Sequence, residues 1–232
     1  MRVAMITGAG RGIGRALVDA FLQRGWQVIG IVRSVEDVQQ LSELGLSVRA
    51  FKCDITRPHI EKRLQAFLNS NFNHVDVLIN NAGFGASSYG IEKLNLAELE
   101  DLLAVHCFGP IRCVRAALPH LRHAESPVIV NISSRFGSLE WVASNVVPSA
   151  EATYPYKIAK ASMNMLTSCL AAEFEGRIRV LSVDPGKVKT RFGPKDADVE
   201  PEQSAGRIAD LAINSSHTAT FVNAISGERV PW

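Results

Sequence analysis

Surplus charge is nearly absent from this chain. Lys and Arg number 25 and Asp and Glu 23, a net charge of +2. The basic residues are dispersed, so neither a nucleic acid nor an anionic membrane surface is expected as partner. Cysteine is scarce as well: Cys53, Cys107, Cys113 and Cys169 are the 4 present. None forms a C-x-x-C pair and the spacing suggests no zinc site, so reduced, mostly buried thiols in a reducing compartment are expected. His120 and His123 sit at helical spacing without a carboxylate or cysteine beside them, so no metal is expected. A long apolar run at the start is missing too. Val3 to Ile6 stops at Thr7-Gly8, too short for a signal peptide or a membrane helix, and a cytoplasmic protein is expected. Internal repeats, low-complexity segments and linkers are also lacking. With 232 residues, 47% of them hydrophobic, the chain is long enough to bury one large core, and a single domain over 1–232 is expected.

What is present alternates. Short apolar runs predict strands at Val3–Ile6, Gln27–Val32, Leu46–Lys52, Val75–Ile79, Val128–Ile132, Ile178–Val183 and Thr220–Val222. Amphipathic runs predict helices at Ile13–Arg24, Val35–Leu44, Ile60–Leu68, about Leu96–Arg122 with Gly109-Pro110 inside it, Tyr156–Phe174 and Pro201–Ala212. Alternating, near-continuously apolar strands mean a parallel sheet with helices on both faces. The expected fold is therefore α/β, a doubly wound sheet of about seven strands of the Rossmann type. Ligands bind such sheets beyond the carboxyl ends of the strands. Leu139–Thr153 and Lys187–Val199, which lack periodicity, both follow strands and should border a site.

Between the first strand and first helix stands Thr7-Gly8-Ala9-Gly10-Arg11-Gly12-Ile13-Gly14. Glycines there let the backbone turn tightly and approach a pyrophosphate, to which the helix N-terminus offers free N–H groups and partial positive charge. Gly8, Gly10, Gly12, Ile13 and Gly14 are thus candidate cofactor residues; a glycine-rich turn without a ligand is the alternative. A site for NAD usually has an acid at the end of the second strand, about 20 residues past the glycines. Here the strand ends Ile31-Val32-Arg33-Ser34. Arg33 stands where a 2′-phosphate would sit, and Arg11 is a second cation nearby, so NADP(H) is expected over NAD(H).

Tyr156 and Lys160 lie one helical turn apart on one face. A phenol with an ordinary pKa of about 10 is a poor acid/base near neutrality, and an ammonium beside it favours the phenolate. The pair is expected to donate a proton to a carbonyl oxygen or accept one from an alcohol. Tyr154 competes for the role, but it points about 200° around the helix from Tyr156.

Together with Thr7–Gly14, five further motifs occur in order: Asp54-Ile55, Asn80-Asn81-Ala82-Gly83, Asn131-Ile132-Ser133-Ser134, Tyr156 with Lys160, and Pro185-Gly186-Lys187-Val188-Lys189-Thr190. With them the chain resembles the classical short-chain dehydrogenase/reductase family over essentially its full length. It is most similar to the small carbonyl-reductase and C-factor-like branch, through Ser133–Ser138 and the ending Val230-Pro231-Trp232. The resemblance implies an NADP(H)-dependent oxidoreductase acting on a small carbonyl or alcohol. It makes Tyr156 the general acid/base, Lys160 its modulator and the holder of the nicotinamide ribose, and Ser134, ahead of Ser133, the partner of the substrate oxygen. Asp54 and Ile55 would meet the adenine, and Asn81, Ala82 and Gly83 would lie against the adenosine side. Pro185, Gly186, Val188 and Thr190 would flank the nicotinamide. Family members commonly pair through the helices matching Leu96–Arg122 and Tyr156–Phe174, which implies a homodimer or homotetramer.

Two departures stand out. His106 occupies the usual asparagine position of the long helix, either as a catalytic group or as a packed residue. The gap from Ser134 to Tyr156 is also longer than usual. Its apolar residues, Trp141, Val142, Val146 and Val147, would lie over the substrate and favour an apolar or aromatic carbonyl compound; a surface loop or subunit contact is the alternative. Two other functions remain open. One is a cofactor-binding signalling or regulatory protein on the same fold, which His106 favours. The other is a hydro-lyase or epimerase using the same tyrosine.

Overall fold

The structure is a computed structural model that describes residues 1–148, 152–191 and 193–232. Seven strands form one sheet: β1 (Val3–Thr7), β2 (Gln27–Val32), β3 (Val48–Lys52), β4 (Val77–Asn80), β5 (Val128–Ile132), β6 (Arg179–Asp184) and β7 (Thr220–Asn223). Their order is β3-β2-β1-β4-β5-β6-β7, and every pairing is parallel. The order reverses between β1 and β4, where the two halves of a doubly wound sheet part and leave a crevice.

Alternation along the strands builds two cores. Ala4 and Ile6 of β1 and Val128, Val130 and Ile132 of β5 face one side. There they meet Leu17 and Phe21 of α1 (Gly12–Gln23), Leu41 of α2 (Val35–Ser42) and Ile208 of α8 (Pro201–Asn214). Val3, Met5 and Ile129 face the other side. They meet Leu64 of α3 (Ile60–Asn71), Val114 of α5 (Gly109–Leu121) and Leu170 of α7 (Tyr154–Glu173). A period of two in the sequence thus becomes two layers of helices.

The long helical stretch is α4 (Leu96–Leu103), a π-helical turn at Ala104–Phe108, and α5. Pro110 cannot donate to the carbonyl four residues back, that of His106, and its ring would crowd it. The helix widens there, as such helices often do at functional sites. Leu96–Leu121 is apolar and long enough to cross a membrane by length and composition, and 50% of that apolar window is buried within the fold.

Several expected boundaries move for identifiable reasons. β3 begins at Val48 rather than Leu46, because Gly45 turns with φ 107° and Leu46 is exposed. β4 begins at Val77 rather than Val75, whose N–H bonds to the carbonyl of His120 on the neighbouring helix instead of a strand. α7 starts at Tyr154, two residues early, since Thr153 caps it by accepting from the Tyr156 N–H at 3.3 Å and Pro155 fits the first turn. Within the aperiodic stretch, Leu139–Ala143 forms a short helix α6, capped by Ser138. The parts of the two aperiodic stretches at 149–151 and 192 lie outside the described residues.

Buried polar side chains lock the strand ends to α7. The Asn164 amide donates to the carbonyl of Gly137 at 3.0 Å, and its oxygen accepts from the Ser182 hydroxyl at 2.6 Å. Asn164 is therefore the cross-link between α7, β6 and the loop after β5. Asn164→Ala strands both partners in the interior and should lower the unfolding free energy by about 1–3 kcal/mol. Urea denaturation checks this, and an unchanged midpoint would remove the cross-link from the account.

Candidate active site

The crevice at the carboxyl edge of the sheet is a cavity of about 1210 Å³. Every candidate cofactor and catalytic residue named from the sequence lines it, from Gly8 and Arg33 at one end to Ser134, Tyr156, Lys160 and His106 at the other. These residues come from the segments after β1 to β6, from α7 (Tyr156 and Lys160) and from the π-helical turn (His106). Parallel strands ending at one edge bring them together.

The glycine loop is held from β4. The Thr7 hydroxyl accepts from the N–H groups of Asn81 and Ala82, both at 3.0 Å, and the Asn81 amide donates to the carbonyl of Thr7 at 2.9 Å. Gly8 and Gly12 turn with φ 67° and 54°, the left-handed region that favours glycine. A Cβ on Gly14 would lie 2.0 Å from the carbonyl oxygen of Gly8. The first turn of α1 carries no side-chain cap hydrogen bond, and Gly12, Ile13 and Gly14 of that turn line the cavity. This is a cradle for a diphosphate, and a dinucleotide fits it.

At the adenosine end, Arg11, Arg33 and Asp54 line the cavity. Burial pulls Asp54 upward, but hydrogen bonds from Thr56 and the charges of Arg33 and Arg57 outweigh it, and the carboxyl is held below its usual range. Asp37, at the first turn of α2, also lines this end and stands against Gly10, where a Cβ would meet its carboxylate at 2.4 Å. Asp37 lies in the first turn of α2, beyond the strand end at which an acid marks a ribose site, so that rule does not reach it.

At the inner end, the Ser134 hydroxyl is hydrogen-bonded to the Tyr156 phenol. Tyr154 is exposed on another face of α7. The ammonium of Lys160 is buried and donates to the carbonyl of Ile132 at 2.7 Å, lying 5.5 Å from the centroid of the Tyr156 ring. Burial, rather than the charge of Lys160, leads the shift of the phenol here. Burial pushes Tyr156 up to about 12 against the Ser134 hydrogen bond, with Asp184 adding to the rise. Burial also brings Lys160 down to about 7.

His106 packs edge-on against Tyr156 with centroids 5.9 Å apart, and its Nε2 pairs with the Phe84 carbonyl at 3.0 Å. A carbonyl only accepts, so Nε2 carries the proton and Nδ1 is a bare acceptor, buried without a partner. Burial holds this histidine well below its ordinary value, and the charge of Lys160 adds to the shift. Gly83 makes room for the ring, since a Cβ there would lie 2.3 Å from it.

The apolar residues expected over the substrate go elsewhere. Trp141 lines a second cavity of about 470 Å³ with Phe221 and Trp232, and the Glu140 N–H donates to the carbonyl of Trp232 at 3.0 Å. α6 thereby docks on the chain's C-terminal end. Of that segment's described residues, Ala152 and Thr153 reach the main cavity, while Val142, Val146 and Val147 do not line it. The aromatic wall comes instead from Phe84, Tyr89 and Phe136, with Phe136 6.5 Å from the Tyr156 ring. Phe84 directly follows the Asn80–Gly83 motif and Phe136 lies within Ser133–Ser138, so both were within reach of the sequence. So was Asp184, a buried acid directly before Pro185-Gly186. Among the described residues no cluster of His, Cys, Asp or Glu could hold a metal ion.

Comparison with known proteins agrees with this geometry. A family model described as short chain dehydrogenase matches residues 2–200. Serine 3-dehydrogenase of Rhizobium radiobacter is 29% identical over 81% of this chain and 72% of its own length. L-fucose dehydrogenase of Bos taurus is 30% identical over 88% and 72%. Among solved structures, the NADPH-bound carbonyl reductase from chicken fatty liver is 26% identical, with a TM-score of 0.88 and full coverage of both chains. The carbonyl reductase Sniffer of Drosophila melanogaster is 25% identical, with a TM-score of 0.88 and 100% coverage of both chains. With its glycine cradle, its Ser134–Tyr156–Lys160 cluster and these relatives, the chain belongs to the short chain dehydrogenase family and has the single-domain Rossmann-type fold of an oxidoreductase.

Proposed function

We propose that the protein reduces small carbonyl compounds with NADPH, with Tyr156 as the proton donor. The observation that carries this reading is that Ser134, Tyr156 and Lys160 meet at the inner end of one cavity, with the Lys160 Nζ 5.5 Å from the centroid of the Tyr156 ring. Burial holds the phenol up, so it is protonated at neutral pH, the state that reduction needs. Bound NADPH supplies the hydride. The alkoxide formed is a stronger base than a phenolate, so Tyr156 can protonate it, while Ser134 shares the same oxygen and stabilises its charge. The wall of Phe84, Tyr89 and Phe136 favours an apolar or aromatic group beside the carbonyl.

The family likeness supports the remaining roles. Lys160 would hold the nicotinamide ribose, Val188 and Thr190 the carboxamide, and Asp54 and Ile55 the adenine. Arg33 and Arg11 favour a 2′-phosphate, with Asp37 opposing them at the same end. The similar carbonyl reductase from chicken fatty liver is NADPH-bound, which supports the same choice. The four cysteines are free, in keeping with a reducing, cytoplasmic setting. His106, at a position where the family usually has asparagine, favours a second reading, a cofactor-binding regulator with weak turnover. Exposed Leu96 and Phe108 on one helix stretch and Ile158 and Met165 on α7 support pairing of two copies through these helices.

Three outcomes are expected. Fluorescence titration should find NADPH bound more tightly than NADH, and Arg33→Asp should reverse the order; equal or tighter NADH binding in the wild type would refute the arginine argument. Tyr156→Phe should cut kcat by about 10²–10⁴-fold with NADPH affinity nearly intact, while Tyr154→Phe should be mild. The opposite pattern would show the site's register to be misassigned. Light scattering at micromolar concentration should give a dimer or tetramer, and a monomer would contradict the pairing.

A further inference from the structure

The proposed chemistry leaves one buried charge unused. Asp184 closes β6, lines the cavity and is 4% exposed. A carboxylate so deeply buried is costly unless it is hydrogen-bonded and paired. The Asn223 amide donates to its Oδ2 at 2.7 Å, and the backbone N–H groups of Arg135 and Gly186 also donate to it. Burial nevertheless keeps Asp184 above the ordinary carboxylate value. Its surroundings are built to hold a carboxylate, and the question is what that carboxylate serves.

Sheet register points to Lys160. The ammonium of Lys160 is seated on the carbonyl of Ile132, the last residue of β5. Ile132 pairs with Val183, and Asp184 is the next residue along β6. The two charges therefore sit at adjacent strand ends on one cavity wall. The carboxylate favours the charged lysine against the burial that disfavours it. Other groups face the pair from each neighbouring element. Tyr156 lies one turn before Lys160 on α7. His106 comes from the π-helical turn, neutral, with its bare Nδ1. Arg135 follows β5, and its charge also acts on Asp184, so it competes with Lys160 for the carboxylate.

We propose that Asp184 is the counter-charge of Lys160: the carboxylate at the end of β6 and the ammonium on the end of β5 form one unit beside Tyr156, and Asp184 acts on the reaction through that lysine as a positioning residue. Its catalytic consequence rests on the reductase reading. The pairing itself rests on the geometry.

The test needs no turnover. In cofactor-free protein carrying ¹³C-labelled lysine, the Lys160 ε-carbon signal, assigned by its loss in Lys160→Met, is titrated by NMR. The wild-type midpoint is expected near pH 7, where the lysine value of about 7 places it. Losing a nearby opposite charge shifts a pKa by about 1–3 units, so Asp184→Asn should move the midpoint down by about one unit or more, and Asp184→Glu should restore most of it. An unchanged midpoint in Asp184→Asn overturns the proposal and leaves Arg135 as the partner of Asp184. If Asp184→Asn fails to fold, the wild type decides. Its Lys160 signal should show a second, smaller step on the acid side as Asp184 is protonated, and a single step overturns the pairing. In a turnover assay, Asp184→Asn should move the pH profile of kcat in the same downward direction. If no carbonyl compound turns over, the reductase reading fails while the NMR arm still judges the pairing.

Discussion

The crevice between β1 and β4 depends on one small cross-link. Thr7 ends β1, and its hydroxyl accepts from two successive N–H groups beyond β4, while Asn81 returns an amide to the Thr7 carbonyl. At that point the chain winds away from β1 in one direction and away from β4 in the other. The crevice of a doubly wound sheet opens between those two windings. The cross-link holds the glycine turn open against the β4 loop, and the first turn of α1 then points its N–H groups into the gap. In the proposed function, the phosphates are met by backbone that a threonine and an asparagine place. Both side chains work on the scaffold, so Asn81 belongs to the site chiefly through what it holds.

The other end of the cavity is governed by burial. Desolvation raises the Tyr156 phenol and lowers the Lys160 ammonium, and both shifts favour the neutral forms. Asp184 bears on this balance, and His106 is subject to it. The carboxylate favours a charged lysine, and the histidine is kept neutral by its own burial and by that lysine. A protonated tyrosine beside a lysine poised near neutrality suits proton donation.

Much of this was legible in the sequence, for physical reasons. Strands buried on both faces read as apolar runs, so Gln27–Val32 and Val128–Ile132 were placed to the residue. The glycine loop, Ser134, Tyr156 and Lys160 follow ordered motifs, and the sheet gathers them into one cavity. What escaped depends on long-range geometry. No periodicity shows that α6 docks on Trp232, so the sequence leaves Trp141 open between a place over the substrate and a surface loop or subunit contact, and it packs by the C-terminal end. Nor can a spacing rule show that the ammonium of Lys160, on α7, rests on the carbonyl of Ile132 at the end of β5, beside the strand that ends at Asp184. The i, i+4 relation of Tyr156 and Lys160 was correct, but the sign of the resulting shift depended on burial that the sequence does not display.

The central claim is that hydride and proton meet at one carbonyl carbon and oxygen inside this cavity. Incubation with NADPH deuterated at C4 and a panel of aromatic aldehydes and ketones tests it most directly, with the alcohol products read by mass spectrometry. The account predicts at least one product carrying a single deuterium on its carbinol carbon, formed as NADPH absorbance falls. A protein that binds NADPH but transfers no deuterium to any carbonyl in the panel would contradict it.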